Sequence, residues 1–345
     1  MNIREYSIAE LEEWLTSFGE KPYRAKQIYE WLHKHMVSDL EEASNISKDL
    51  REKIKNSFDI SFPTIEKVFA SKLDETKKYL IKLSDSFIIE SVLMKYKYGY
   101  TVCISSQVGC NMGCKFCAST IGGMKRNLNA YEMLAQVYLI EKESGIKISN
   151  IVIMGMGEPL NNLDNIIKFL KLINDENGQT ISLRNITIST CGIVEKISEL
   201  ASYNLPITLA LSLHAPNNEV RKKIMPIANK YDLAKVMNAM AYYFEKTNRR
   251  ITCEYTLIDG INSSISDAKE LKHLFDTYFI KRHIDYNVNL IAINEIKENN
   301  FKAPSRIKIE EFRDYLLDSG VQVMIRRELG KDISGSCGQL RMSVK

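Results

Sequence analysis

The sequence predicts an α/β protein: a partial (β/α)6 barrel, with a small helical module before it and a short C-terminal tail after it. Three observations carry that expectation. Strand-like runs recur six times from residue 102 onward, helical patterns separate them, and the chemically marked motifs fall where those strands end. Strands in series with helical connections imply parallel neighbours joined by right-handed crossovers. A closed barrel of this kind needs about eight units, so the expected sheet is open.

Up to about residue 60 the chain reads as short helices. Ser7 and Glu10 make a capping box for a helix through Trp14 to Phe18, ended by Gly19. Further helices are expected over 23–35 and 47–57, and strand-like runs over 64–70, 78–83 and 87–95 lead into the main domain. The barrel strands are expected at 102–105, 150–154, 185–189, 207–213, 251–257 and 288–291. Helical patterns lie between and after them, for example at 131–143, 166–173, 233–244 and 309–317. The resulting division is an accessory domain over 1–95, the barrel over 96–330 and a tail over 331–345.

Composition excludes some classes. No run of about 18 apolar residues occurs, and the opening MNIREYSIAELEEW is charged and amphipathic, so neither a membrane span nor a signal peptide is expected. Seven cysteines, an odd number concentrated in one cluster, fit a reducing cytoplasm and not a disulfide framework. The net charge of +4 is compatible with an RNA partner without requiring one. Nothing points to more than a monomer.

The chemistry centres on Cys110, Cys114 and Cys117, spaced C-x3-C-x2-C with Phe116 directly before the last. Three thiolates leave one iron of a four-iron cluster without a protein ligand. That open iron can chelate the amino and carboxylate groups of S-adenosylmethionine, and the spacing resembles the signature of radical-SAM enzymes. The competing reading is a zinc site with a histidine as fourth ligand, but there is one cluster only, and the nearest downstream histidine is the distant His214.

Motifs at later strand ends suit the cosubstrate. Met154-Gly155-Met156-Gly157-Glu158-Pro159 offers close backbone approach, with Glu158 as an acceptor. Ser189, in Ser189-Thr190-Cys191-Gly192, and Ser212, Leu213 and His214, in Ser212-Leu213-His214-Ala215-Pro216, bring hydroxyls and an imidazole; Asn294 would close the pocket. Cys337, before a glycine in an accessible tail, is a candidate nucleophile, and Cys103 lies on the strand that delivers the cluster. Taken alone, each reads as a small buried hydrophobe, as do Cys191 and Cys253.

In order, the segments TVCISSQVGCNMGCKFCAST, GGMKRNL, MGMGEPLNN, ITISTCG, LSLHAPN and SCGQL resemble the RlmN/Cfr family of radical-SAM RNA methyltransferases, from about Glu90 to Leu340. The run KPYRAKQIYEWL at 21–32 resembles that family's accessory domain. The resemblance implies one 4Fe-4S cluster on Cys110, Cys114 and Cys117, and two S-adenosylmethionine molecules per turnover. One would methylate Cys337, and the other would give a 5′-deoxyadenosyl radical that takes hydrogen from that methyl group. The methylene radical would add to adenine, Glu90 would accept the ring proton, and Cys103 would resolve the protein–RNA thioether as a disulfide. Gly157, Glu158, Ser189, Ser212, Leu213, His214 and Asn294 would contact the cosubstrate. An electron donor such as flavodoxin or ferredoxin is implied too.

Without the family, Glu90 reads as a surface strand carboxylate. The helix with Arg24, Lys26, His33, Lys34 and His35 reads by itself as a solvated charged face, and in the family context as one that could grip RNA phosphates. The implied substrates are 23S rRNA and tRNA. The housekeeping branch methylates adenine carbon 2 in the peptidyl-transferase region and 3′ of the anticodon. The resistance branch methylates carbon 8 of the same rRNA adenosine. The segment 118–128 reads closer to the housekeeping enzymes. Cys191, Ala292 and Ala228 depart from the family pattern without touching the cluster or the two redox cysteines.

Overall fold

A computed structural model describes residues 1–341. The N-terminal module holds α1 (Ile8–Thr16), α2 (Arg24–His33) and α3 (Lys48–Ser57). The capping box forms as expected, Glu10 N donating to Ser7 Oγ at 3.2 Å and Ser7 N to Glu10 Oε2 at 2.7 Å. Next come β1 (Thr64–Ala70), β2 (Lys77–Lys82), β3 (Ile88–Tyr96) and β4 (Gly99–Cys103), each antiparallel to its predecessor.

The barrel region continues with β5 (Gln107–Val108), β6 (Arg126–Asn127), α4 (Ala130–Ser144), β7 (Asn150–Ile153), α5 (Leu163–Asn174), β8 (Ile186–Thr190) and α6 (Val194–Ser202). It ends with β9 (Thr208–Ser212), α7 (Asn218–Ile224), α8 (Leu233–Thr247), β10 (Ile251–Leu257), α9 (Ile265–Tyr278), β11 (Tyr286–Ala292), α10 (Arg306–Asp318) and β12 (Val323–Ile325).

One ten-stranded sheet runs β1-β2-β3-β4-β7-β8-β9-β10-β11-β12, so every strand lies beside its predecessor within the sheet. From β4 onward all pairings within this sheet are parallel, as the six expected strands require. The sheet stays open, with β1 and β12 at its edges. β10 is buried along its whole length, which is what a central parallel strand covered on both faces needs.

Two features are additional to the expectation. β12 adds a further parallel strand; with three residues, two of them exposed, it has too little pattern to read. β5 and β6 pair through Gln107↔Asn127 and Val108↔Arg126, clamping together the ends of the loop that carries the three clustered cysteines. The sheet is continuous across residue 95, because β3 pairs with β4. The last residues of the expected tail, 342–345, lie outside the described residues.

Candidate active site

The cysteine loop leaves β5 through Gly109 at φ +75°, where a Cβ would fall 2.1 Å from the Gly123 carbonyl oxygen, so only glycine fits. Lys115 N donates to Ile224 O at 2.9 Å, fastening the loop to α7. Cys110, Cys114 and Cys117 thereby line one cavity of about 150 Å³ at the C-terminal ends of the strands. Burial first, and then the sulfurs' effect on one another, raises their pKa values, that of Cys110 to about 12. Burial likewise raises Cys117. Such thiols ionise together only against a compensating positive charge, which fits a thiolate-bound metal cluster. Among the described residues no group of three or more His, Cys, Asp or Glu side chains, these three cysteines included, is arranged closely enough to hold a metal ion in this structure.

Gly157, Glu158, Ser189, Ser212, His214 and Asn294 line the same cavity. Gly157 sits at φ +108°, and a Cβ there would approach the Gln107 side chain to 2.6 Å. Glu158 is fully engaged by backbone: Oε2 accepts from Cys191 N at 2.8 Å and Oε1 from Leu160 N at 3.1 Å. Burial nonetheless raises its pKa above the ordinary carboxylate range. The hydroxyls of Ser189 and Ser212 lie 3.3 Å apart on β8 and β9.

His214 adopts φ +54°, and its Nδ1 accepts from Thr256 N at 3.0 Å. Burial lowers its pKa to about 3, so the ring is neutral and carries its proton on Nε2. Phe116 packs edge-on against it, the ring centroids 4.9 Å apart.

Cys337 also lines this cavity and reaches a second one, which it shares with Cys103, Tyr96, Met154 and Arg326. Burial, reinforced by Cys337, pushes the Cys103 thiol up to about 12, while Arg326 pulls the other way. Arg326 is held above its ordinary value, chiefly by Cys337, and its Nη1 lies 3.6 Å from Glu254 Oε2.

The structure corrects several expectations. Cys337 is half-buried and docked, not in a loose accessible tail: Asn294 Nδ2 donates to its carbonyl oxygen at 2.9 Å, and Ala118 N donates to Gly338 O at 2.7 Å. Ser119 Oγ donates to Leu340 O at 2.6 Å. Glu90 is 2% exposed, so the surface-carboxylate reading fails. It lines neither cavity; Oε1 lies 3.4 Å from Lys78 Nζ, and Oε2 accepts from Arg341 N at 3.1 Å. The Leu213 side chain is buried away from the cavity, while its amide donates to Glu254 O at 3.0 Å. His33 is fully buried against Tyr138, off any phosphate-facing surface of α2.

Sequence reasoning missed Arg326, Glu254 and the cavity-facing position of Cys191. Glu254 offered the one usable signal, the single charged residue inside an otherwise uncharged strand.

An open parallel β/α sheet whose strand ends gather three loop cysteines, a glycine turn and polar strand-end side chains defines a radical-SAM enzyme. Residues 104–273 match the Radical SAM superfamily, and residues 1–60 match the ribosomal RNA large subunit methyltransferase N-terminal domain. The chain belongs to the RlmN family of radical-SAM RNA methyltransferases. A Clostridium novyi protein called a probable dual-specificity RNA methyltransferase RlmN is 51% identical over 340 residues, covering 99% of this chain and 97% of its own. A Lachnoclostridium phytofermentans protein of the same name is 51% identical over 343 residues, covering 99% and 95%. The crystal structure of a radical SAM methyltransferase from Sphaerobacter thermophilus superposes with a TM-score of 0.93 at 37% identity, covering 99% of each chain.

Proposed function

We propose that this chain methylates carbon 2 of an adenosine in the peptidyl-transferase region of 23S rRNA, and of the adenosine 3′ of the anticodon in tRNA. The observation that carries the reading is Cys337, which lines both the three-cysteine cavity and the cavity containing Cys103. A carrier sulfur must reach a radical source on one side and a resolving thiol on the other, and the two cavities that Cys337 lines support that reading.

Cys110, Cys114 and Cys117 would hold a 4Fe-4S cluster, with Gly157, Glu158, Ser189, Ser212, Leu213 (through its backbone), His214 and Asn294 around S-adenosylmethionine. When bound, these groups would supply radical chemistry that activates a methyl group. Cys337 carries that methyl group on sulfur and delivers the carbon to the adenine ring. Glu90, which lines neither cavity while the tail is docked, would accept the ring proton once the chain around Arg341 moves off its Oε2 and uncovers it. The unpaired electron left by radical addition would pass to the flavodoxin- or ferredoxin-like redox partner. Cys103, ionised with the help of Arg326, would then attack the Cys337 sulfur, and the S–S bond would form as the C–S bond breaks, the electron pair of that bond going to the ring-bound carbon, which takes a proton to become the methyl group.

The reading also takes two S-adenosylmethionine molecules per turnover, a flavodoxin- or ferredoxin-like electron donor, a monomer and a cytoplasmic setting. Among the described residues no helix is long and apolar enough to cross a membrane. For this chemistry we divide the chain into accessory (1–95), barrel (96–330) and carrier-tail (331–345) parts.

The test is nucleoside mass spectrometry. Cluster-loaded protein, S-adenosylmethionine and reductant are supplied with 23S rRNA or tRNA lacking the modification. 2-Methyladenosine supports the proposal. 8-Methyladenosine moves the chain to the resistance branch, and no methylated adenosine from a preparation that cleaves S-adenosylmethionine overturns the substrate.

A further inference from the structure

β3 and β4 pair out to Tyr96↔Gly99, leaving Lys97 and Tyr98 as a two-residue turn. The turn is firmly seated. Gly99 holds φ +125° with a Cβ position 2.7 Å from Ser149 Oγ, and Ser149 N donates to Tyr100 O at 3.0 Å. The rings of Tyr96 and Tyr98 lie 5.1 Å apart and within 5° of parallel. Tyr96 forms part of the wall of the cavity that holds Cys103 and Cys337. Tyr98 stacks on it from outside and is 69% exposed, so most of the ring meets solvent.

A large ring held at a turn tip gains little from burial, whereas a preorganised flat π surface is a sequence-tolerant partner for a nucleobase. The surroundings suit RNA. Lys97, in the turn, and Arg327, on the cavity wall, are exposed, and neither side chain has an ion-pair or hydrogen-bond partner among the described residues. An adenosine that enters the Cys103–Cys337 cavity must leave its stack, and its neighbour then loses a stacking partner.

We propose that Tyr98 is a nucleobase platform, stacking the RNA base adjacent to the adenosine that enters the cavity. The proposal rests on the RNA-methyltransferase reading above and adds a binding site to it. Tyr98 replaces the lost base–base stack, with Tyr96 behind it as a rigid backing and Lys97 and Arg327 beside the strand as counter-charges.

The experiment uses full-length, cluster-loaded protein without reductant, so that no turnover occurs. The probe is an anticodon-arm RNA hairpin with 2-aminopurine next to the target adenosine. Its fluorescence is quenched when stacked and rises when it is not. With the unmodified chain the probe binds and stays quenched; Tyr98→Phe matches it. Tyr98→Ala weakens binding about tenfold and leaves the probe bright at saturation, while S-adenosylmethionine binding is unchanged. Equal affinity and equal quenching for Tyr98→Ala overturn the platform and leave the RNA reading standing. Failure of the unmodified chain to bind any such hairpin counts against the RNA reading itself, and the platform falls with it.

Discussion

The Asn294 side chain donates from Nδ2 to the Cys337 carbonyl oxygen at 2.9 Å, while its own Oδ1 is buried with no hydrogen-bond partner among the described residues. One amide thus ties the tail to the end of β11 and keeps a free acceptor beside the cavity. Asn294→Ala removes both functions. Loss of one hydrogen bond costs about 1 kcal/mol, but a carrier sulfur displaced by about 1 Å costs on the order of a hundredfold in rate. RNA methylation should therefore fall far more than the urea midpoint. Equal, small losses in both would mean that the tie is structural only.

Cys337→Ala should retain iron and cleavage of S-adenosylmethionine while abolishing methylation. Cys103→Ala should instead stall after bond formation, giving an RNA–protein adduct that survives a denaturing gel. Released methyladenosine from either variant would remove that cysteine from the proposed cycle.

Arg326, together with a hydrogen bond at the Met154 backbone, lowers the Cys103 pKa against burial and Cys337. Arg326→Met should raise the Cys103 pKa further and slow its alkylation at alkaline pH, with Arg326→Lys in between. Mass-spectrometric alkylation rates at Cys103 against pH decide the matter. Rates equal to those of the parent would show that the guanidinium leaves the thiol untouched.

Burial raises the Glu90 pKa, and Lys78, 3.4 Å away, opposes the rise. Lys78→Met removes that opposition, so Glu90 ionises only at higher pH. If Glu90 accepts the ring proton, the acidic limb of the methylation profile should move upward in pH. An unmoved limb would assign proton acceptance elsewhere.

His33 is buried between Tyr29 and Tyr138, with Arg4 nearby, and its pKa is lowered to about 3. In the unfolded chain it titrates near 6.5. Below that value the unfolded state binds a proton that the folded state refuses, so stability is lost as pH falls from about 6.5 toward 3. Between pH 7 and 5.5 this histidine should cost about 1 kcal/mol. His33→Gln should remove that component from the pH dependence of the urea midpoint; an unchanged slope would show that other groups carry it.

The sequence made the parallel strands and the cysteine loop legible because each is a local pattern: an apolar run after a helix, or thiols at short spacing. Arg326 and Glu254 were not legible as partners, because β12 is three residues long and their meeting depends on β10, β11 and β12 lying side by side. Glu90 misled for the opposite reason. Its strand looked half-exposed, whereas the docked tail and Lys78 cover it. His33 sits among cations in sequence but turns inward, where Tyr138 takes its Nδ1 at 3.0 Å.

Strand neighbours in this sheet are also successive in sequence, so the sheet can grow by accretion as the chain emerges from a ribosome, each strand docking on one already in place. The exception is the final stretch. Ser71 donates to Asp332 across 261 positions, and the Arg341 amide donates to Glu90 across 251. These closures reach from the last residues back to the first strands and must form last. The sulfur proposed to carry carbon therefore arrives only after all the strands of the sheet have been synthesised, and a chain terminated before residue 337 would have the cluster cysteines and no Cys337 to receive a methyl group.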